Sequence, residues 1–548
     1  MKKISILEFK LRIMRYLLFF ILPLFGLAQK GNVFSSTADK AKIELAKQKM
    51  YSGQYLSAIN SLKEIAKSSP NDPNVHHYIG ASYFALNRNE DAKEYLNKAI
   101  SLNPDKGASH FLLGRLYQSE EEYDKAIEEF NLSNKDGKSD DEDSQDASTF
   151  LSQCNMAKKL TNSPVDVNVM NAGKLINSEF DDKNPCMTAD GKTLVFTTRR
   201  PDGTNAIKDE TGDGKYFEDV YITEIDTATK DFGEAKPVPG SINTKAHDAV
   251  TSISPDGKQI FLYKNDINDK ASRGGDIFVS KVGNNKWRTP NPFGKPVASS
   301  YWEGGACISP DGKMLIFTSE RKGGFGGSDI WMVKKISRKE WGKPENLGKM
   351  VNTAYDEGGV FLAPDGKTLF FCSNGPNSMG SYDIFKTVYE NNKWSEPVNL
   401  GYPINSSSKE GQLTISANGK YAYFSSSRPG GIGESDIYKV DLKDYAILEK
   451  DNKVKKNDGL SIVRGTMLDG YEGFGISGVE VTIFDTEDNE VASTSTNENG
   501  EYFLTLKGGK SYKILVKKKG FKDIAENFDL KLGEEDTFIL EKGYLLKK

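Results

Sequence analysis

One dozen-residue phrase recurs five times in this chain. "MTADGKTLVFTT" begins at Met187, "ISPDGKQIFLY" at Ile253, "ISPDGKMLIFTSE" at Ile308, "LAPDGKTLFFCS" at Leu362 and "ISANGKYAYFSS" at Ile415. Each copy reads as a short apolar strand, a turn on Asp-Gly or Asn-Gly, and a second strand rich in β-branched and aromatic residues. Asp-Gly signals a hairpin because glycine accepts the positive φ the turn needs. Downstream, every copy has an Asp followed by apolar residues: "EDVYI" at Glu218, "GDIFV" at Gly275, "SDIWM" at Ser328, "YDIFK" at Tyr382 and "SDIYK" at Ser435. These predict a third strand. An aromatic residue and a proline, as in "WGKPENLG" and "WSEPVNLG", mark a fourth.

Four strands per copy at a period of about 54 residues predict propeller blades. Between copies run the junctions "SINTKAHD", "VASSYWEG", "VNTAYDEG" and "PINSSSKEG", and "LINSEFDD" precedes the first hairpin. Five hairpins and five junctions predict five blades over residues 165–445. The last copy runs out at "VDLKDY". A strand near Val165–Asn171 is therefore expected to complete its blade and close the ring, which removes exposed edges. The hairpin and the "SDI[YFW]" strand resemble the TolB-type, WD-like propeller repeat. That resemblance implies the fold and leaves function open.

Residues 38–160 have helical spacing without strand-like alternation. Ala58, Ala92 and Ala126 are 34 residues apart, as are Gly80 and Gly114, His76 and His110, and Pro70 and Pro104. "HYIGASYFALNRNEDAKEYLNKAISLNP", ending at Pro104, resembles the tetratricopeptide repeat, which implies helix pairs and a groove that binds protein partners. The first copy departs from the pattern with Ala46 and Lys49, and a capping helix is expected near Ser144–Leu160. After a lysine-rich linker at 446–459, residues 460–541 carry short alternating segments around Asn499-Gly500 and Gly508-Gly509. They predict a small antiparallel sandwich. Their order resembles the carboxypeptidase regulatory-like domain, a transthyretin-like module without catalytic machinery.

Lys2, Lys3, Lys10, Arg12 and Arg15 precede the apolar run Tyr16 to Ala28, and small residues allow cleavage before Gln29. This predicts an export signal over residues 1–28; an uncleaved anchor is the alternative. Cleavage removes five basic groups and one acid and takes the net charge from −4 to −8. Such a chain has no general attraction to nucleic acid. Cys154, Cys186, Cys307 and Cys372 lack metal-ligand spacing and stand in apolar contexts, which favours buried free thiols over disulfides.

The order of signal, repeats, propeller and sandwich resembles periplasmic, outer-membrane-associated proteins related to a component of type IX secretion. Those proteins usually continue into an OmpA-like domain, which this sequence lacks, so peptidoglycan binding does not carry over. Two function classes remain open. One is a non-catalytic envelope scaffold that holds protein partners through the helical groove and the propeller face. The other is a propeller-based hydrolase acting on glycans or peptides. No GxSxG elbow occurs, and His76, His77 and His110 sit in the helical repeats while His247 stands alone. No catalytic residue, metal or cofactor is assigned. Asp190, Asp256, Asp311 and Asp365, with Asn418, read as turn residues, and Asp219, Asp276, Asp329, Asp383 and Asp436 as strand starts. Asp209 and Asp213 in the first-blade insertion, or the acidic run 136–146, read as solvated loops rather than cation sites.

One acid stands eight residues before each turn: Asp182, Asp248, Glu303, Glu357 and Glu410. In a closed ring these are expected to crowd one mouth of the channel and repel. Either each carboxylate bonds the backbone of the neighbouring blade, or the ring recruits a cation or a basic partner segment.

Overall fold

A computed structural model of the chain describes residues 37–133, 147–201, 206–208, 215–226, 228–229, 231–264, 275–337, 340–442, 445, 447–448, 459–534 and 536–548. The expected export signal, the acidic run, Asp209 and Asp213, and most of the linker lie outside the described residues. The chain divides into two compact units between Asn103 and Pro104.

The first unit holds α1 (Thr37–Tyr51), α2 (Tyr55–Ser68), α3 (Pro73–Ala85) and α4 (Asn89–Leu102). Helix α3 starts where Asp72 accepts the Asn74 N–H at 2.9 Å and Pro73 takes the first helical position. Gly80 permits α3 and α4 to touch: a Cβ there would lie 2.8 Å from Leu96 Cγ. His76 sits on the Pro70 carbonyl at 2.8 Å, tying a helix to the proline that ends its predecessor.

In the second unit α5 (Gly107–Ser119) and α6 (Tyr123–Ser133) repeat the device. A Cβ on Gly114 would lie 2.8 Å from Phe130 Cδ1, and His110 meets the Pro104 carbonyl at 2.9 Å. Helix α7 (Ser148–Thr161) follows, close to the expected cap, so seven helices lie among the described residues.

Five sheets of four or five strands come next. Their first strands are Asp182–Met187, Asp248–Ile253, Glu303–Ile308, Glu357–Leu362 and Glu410–Ile415, and each lies beside the next, with the fifth beside the first. The hairpin turns have glycine at positive φ, 67° to 76° across Gly191, Gly257, Gly312, Gly366 and Gly419. Asn168–Asn171 pairs antiparallel with Asp436–Asp441, the third strand of the fifth sheet, and makes the first and last strands of the region one sheet. Val165, Val167 and Val169 pack on the core between the fourth and fifth sheets.

The C-terminal module is two sheets around Val463, Val481, Ile483, Leu504, Ile514 and Val516. It departs from the wholly antiparallel arrangement expected. Leu460–Asp469 pairs antiparallel with Glu501–Lys507 but parallel with Ile539–Glu541 and Tyr544–Leu546, because the chain's last segment returns along its open edge in the same direction.

This module lies across the hairpin turns of all five sheets. Ala189 of the first joins Leu460, Ile462 and Phe503 in one apolar cluster. Lys258 of the second pairs with Glu501 at 2.6 Å, Lys313 of the third donates to the Ser493 carbonyl at 3.0 Å, and Thr505 donates to the Pro364 carbonyl of the fourth. In the fifth, the Leu460 N–H reaches the Ala417 carbonyl at 3.0 Å. The opposite, acid-bearing end is covered over the fourth and fifth sheets by α5 and α7. Gln153 donates to the Asn374 and Gly375 carbonyls, Thr149 meets the Tyr355 hydroxyl at 2.6 Å, and Met379 is buried among Phe111, Phe130 and Cys154.

Candidate functional site

Most groups with catalytic potential are consumed by the fold. The turn residues Asp190, Asp256 and Asp311 each accept a hydroxyl two residues back and an N–H two residues on. Asp365 accepts two N–H groups and the Thr368 hydroxyl, and Asn418 accepts the Lys420 N–H. At the third strands, Asp329 accepts from Phe325 and Gly326, Asp383 from Met379, and Asp436 from Ile432 and Gly433, so each caps the loop that leads to it. Asp219 and Asp276 begin the same strands in the first two sheets. All four cysteines are free and buried, and burial pushes the thiols of Cys154, Cys307 and Cys372 up to about 12, far from a reactive thiolate. Gln412 spans the middle of the ring, with its amide donating to the Thr251 carbonyl at 2.8 Å and to Cys186 Sγ.

The five acids are fully buried at the start of the five first strands, and each is held by its own sheet. Asp182 accepts from the Ser178 N–H and hydroxyl, Asp248 from Thr244, Glu303 from Ser299, Glu357 from Thr353 and Glu410 from Ser406, always four residues earlier. Four have a cation at the end of their second strand: Arg200 at 3.0 Å, Lys264 at 2.6 Å, Arg321 at 3.2 Å and Arg428 at 3.2 Å. The expected bond to the neighbouring blade's backbone is thus corrected. The carboxylate turns inward on its own sheet, since a serine or threonine at that spacing offers two donors at once. The link to the neighbour is made by the acid's own N–H and by an asparagine one residue before the serine or threonine. Asn177, Asn243, Asn352 and Asn405 grip both N–H and C=O of Ile437, Val220, Ile330 and Ile384 at 2.8–3.0 Å. The remaining junction has Ala298 there.

Glu357 differs. The place of its cation is taken by Gly375, whose carbonyl receives Gln153 of α7, and no cation pairs with it among the described residues. Burial raises its carboxyl above the ordinary 4.5, against the lowering effect of the Thr353 and Ser373 bonds. A raised folded value means that this group's stabilising contribution is full below about pH 4.5 and is lost as pH rises through the folded value. Glu357→Gln is expected to be more favourable to stability at pH 8 than at pH 4. Urea melts of both chains at the two pH values check this, and equal effects at both would contradict it.

The chemistry that does not repeat gathers at the acid-bearing end of the first three sheets, outside the area under α5 and α7. The residue after the acid is Ala249, Gly304, Gly358 or Gly411 in four sheets but Lys183 in the first. Lys183 Nζ lies 2.8 Å from Asp181 and 2.7 Å from Glu218; Glu218 also meets Arg199 at 3.6 Å and His247 at 3.1 Å. Burial works to raise Glu218, but His247, Lys183 and Arg199 outweigh it and hold the carboxyl well below its usual range. Beside this cluster stand Tyr263 and Trp302, with ring centroids 6.1 Å apart. Tyr263 occupies a position held by Thr197, Cys372 and other small residues elsewhere. Burial raises its hydroxyl, and Glu218 and Glu320 add to the shift, so all these groups share one electrostatic neighbourhood. Sequence reasoning missed them because it followed the repeated positions, where structure requires the residue. The usable signal was the break in the repeat.

No curated protein matches the chain. Among solved structures, the TPR domain of P58(IPK) is 19% identical over 23% of this chain and 35% of that chain, with a TM-score of 0.21. The first TPR of Spaghetti (RPAP3), bound to an HSP90 peptide, is 17% identical over 24% of this chain and 99% of that chain, with a TM-score of 0.21. The type III secretion translocator chaperone SycD of Yersinia enterocolitica is 18% identical over 23% and 89%, with a TM-score of 0.21. This chain therefore spans about a third of the first of these and most of the other two. Family models match at residues 73–106 and 108–134, both tetratricopeptide repeats, and at 462–540, the carboxypeptidase regulatory-like domain. The chain carries tetratricopeptide repeats in its helical part and a carboxypeptidase regulatory-like domain at its C-terminal part.

Proposed function

We propose that this protein is a non-catalytic scaffold of the cell envelope, exported to the periplasm and associated with the outer membrane. In this reading residues 165–445 are a five-bladed TolB-type propeller and residues 460–541 a transthyretin-like sandwich seated on it. The helical repeats hold a protein partner, and the unrepeated sector of the acid-bearing end is the propeller's binding face. The observation that carries the reading is the state of the acids: each is buried, bonded by its own junction and, in four of five sheets, paired with a cation. Carboxylates so engaged are unsuited to general acid–base work, which needs a group free to exchange protons with substrate. The link to secretion machinery rests on resemblance of domain order.

The test uses the protein expressed from its full gene. A mature chain beginning near Gln29 in the periplasmic fraction, crosslinks to envelope proteins that depend on the helical repeats, and no turnover of glycan or peptide libraries are expected. Intact Met1 on a cytoplasmic protein, or turnover abolished by Glu218→Gln, would overturn the reading.

A further inference from the structure

The unrepeated sector contains an aromatic cradle, Trp302 and Tyr263 with their planes inclined at 52°, and the backbone beneath it is shaped to seat both rings. Trp302 lies on Gly304 so closely that a Cβ there would come within 1.7 Å of the indole. Tyr263 lies on Gly275 in the same way, where a Cβ would meet the ring at 2.1 Å. Any side chain at either glycine would lift its ring. Both rings are partly exposed rather than core-buried. The residue before the acid in the other sheets is Asp181, His247, Asp356 or Lys409, so Trp302 is not there to satisfy the repeat.

Around the cradle stand polar groups of both signs. Lys183 and Arg199 are balanced by Asp181 and Glu218, so this cluster adds no net charge, and Glu320 leaves the site mildly acidic, which disfavours an anionic ligand. Glu320 is exposed, and partial desolvation of its carboxyl, with Asp356 nearby, raises it. Rings inclined at 52° suit a pyranose that lays its C–H face on the indole and its edge against Tyr263, and fixed carboxylate, guanidinium and imidazole groups suit its hydroxyls. Equatorial β-1,4 linkages present such faces along a chain.

We propose that this sector binds a neutral β-1,4-linked oligosaccharide, with one sugar ring stacked on Trp302 and edged by Tyr263 and its hydroxyls bonded to Arg199, Glu218 and Glu320. The proposal rests on the reading of this sector as the binding face and adds its ligand class. It makes the protein a bridge between a protein partner on the helices and a glycan on the sheets.

Cellotetraose and chitotetraose are the probes, titrated into the mature protein with calorimetry and tryptophan fluorescence as readouts. At least one is expected to bind in the millimolar range or tighter and to raise the melting temperature. Trp302→Ala is expected to weaken binding roughly tenfold or more, whereas Trp302→Phe keeps most of it. Should Trp302→Ala melt early, the wild-type melting shift and the Trp302→Phe titration still decide. No binding of either sugar, equal binding by the alanine variant, or Trp302-dependent binding of a proline-rich peptide instead would overturn the proposal. If the sugars fail while crosslinks to an envelope protein persist, the ligand class is wrong and the scaffold reading stands.

Discussion

A chain lacking residues 165–171 is expected to melt at least 10 °C below the full protein, as one cooperative loss across the five sheets rather than as a frayed end. The deletion removes Asn168–Asn171 from Asp436–Asp441 and takes Val165, Val167 and Val169 off the core that joins the fourth and fifth sheets. It also removes Asn171, whose amide donates to Asp436 at 2.8 Å and whose carbonyl accepts from Asn177 at 2.9 Å. Asn177 in turn holds Ile437 across the boundary between fifth and first sheets. Three partly buried valines at somewhat over 1 kcal/mol each, with the lost ladder and amide bonds, come to about 5 kcal/mol. For a domain of this size that is on the order of 10–20 °C. Circular dichroism melts followed at strand and aromatic wavelengths check it. An unchanged midpoint would show that the first-to-last pairing does not hold the sheets together.

Arg428→Met is expected to cost about 3–5 kcal/mol, the usual consequence of leaving one charge of a buried pair alone. Arg428 serves more than Glu410. Its guanidinium also donates to the carbonyls of Pro403 at 2.9 Å and Ile404 at 2.7 Å, and it lies over the rings of Phe424 and Tyr438. Methionine keeps the apolar stem and loses every donor. Glu410 then faces burial without a cation. Adding Glu410→Gln to the variant is expected to recover most of the deficit, because the larger part of the cost is the stranded carboxylate. Chemical denaturation of single and double variants measures both effects. A double variant as unstable as the single one would assign the cost to the lost carbonyl bonds instead. The fourth sheet shows the alternative solution within the same chain, where Glu357 forgoes a cation and the space admits a helix.

The parts of this molecule that could be read from sequence are those where the backbone leaves no choice. Asp-Gly and Asn-Gly turns need a left-handed glycine, so four of the first and one of the second announced five hairpins. Repeats of glycine against Leu96 and Phe130 announced close helix pairs. The acids at constant offset were visible too, but their partners were not all followed. Arg200, Arg321 and Arg428 stand 18 residues after their acids, Lys264 stands 16 after, and Gly375 breaks the series. The asparagine grips lay in plain view in "SINT", "VNTA" and "PINS", yet a junction motif does not say which strand it holds. Parallel pairing at the C-terminal edge was hidden because three-residue strands carry no periodic signal. The cradle of Tyr263 and Trp302 was hidden for a different reason: repetition draws attention to what every copy shares, whereas recognition is built from what one copy alone has.

The seating of the C-terminal module on all five turns has a consequence for assembly. A surface that must meet Ala189, Lys258, Lys313, Pro364 and Ala417 together finds its complement only when every sheet is present and in register. A partly built ring offers it only some of these places, against the entropy that docking costs. The module's full seat therefore exists only on the finished ring, which makes its docking a report on whether all five sheets are present and in register.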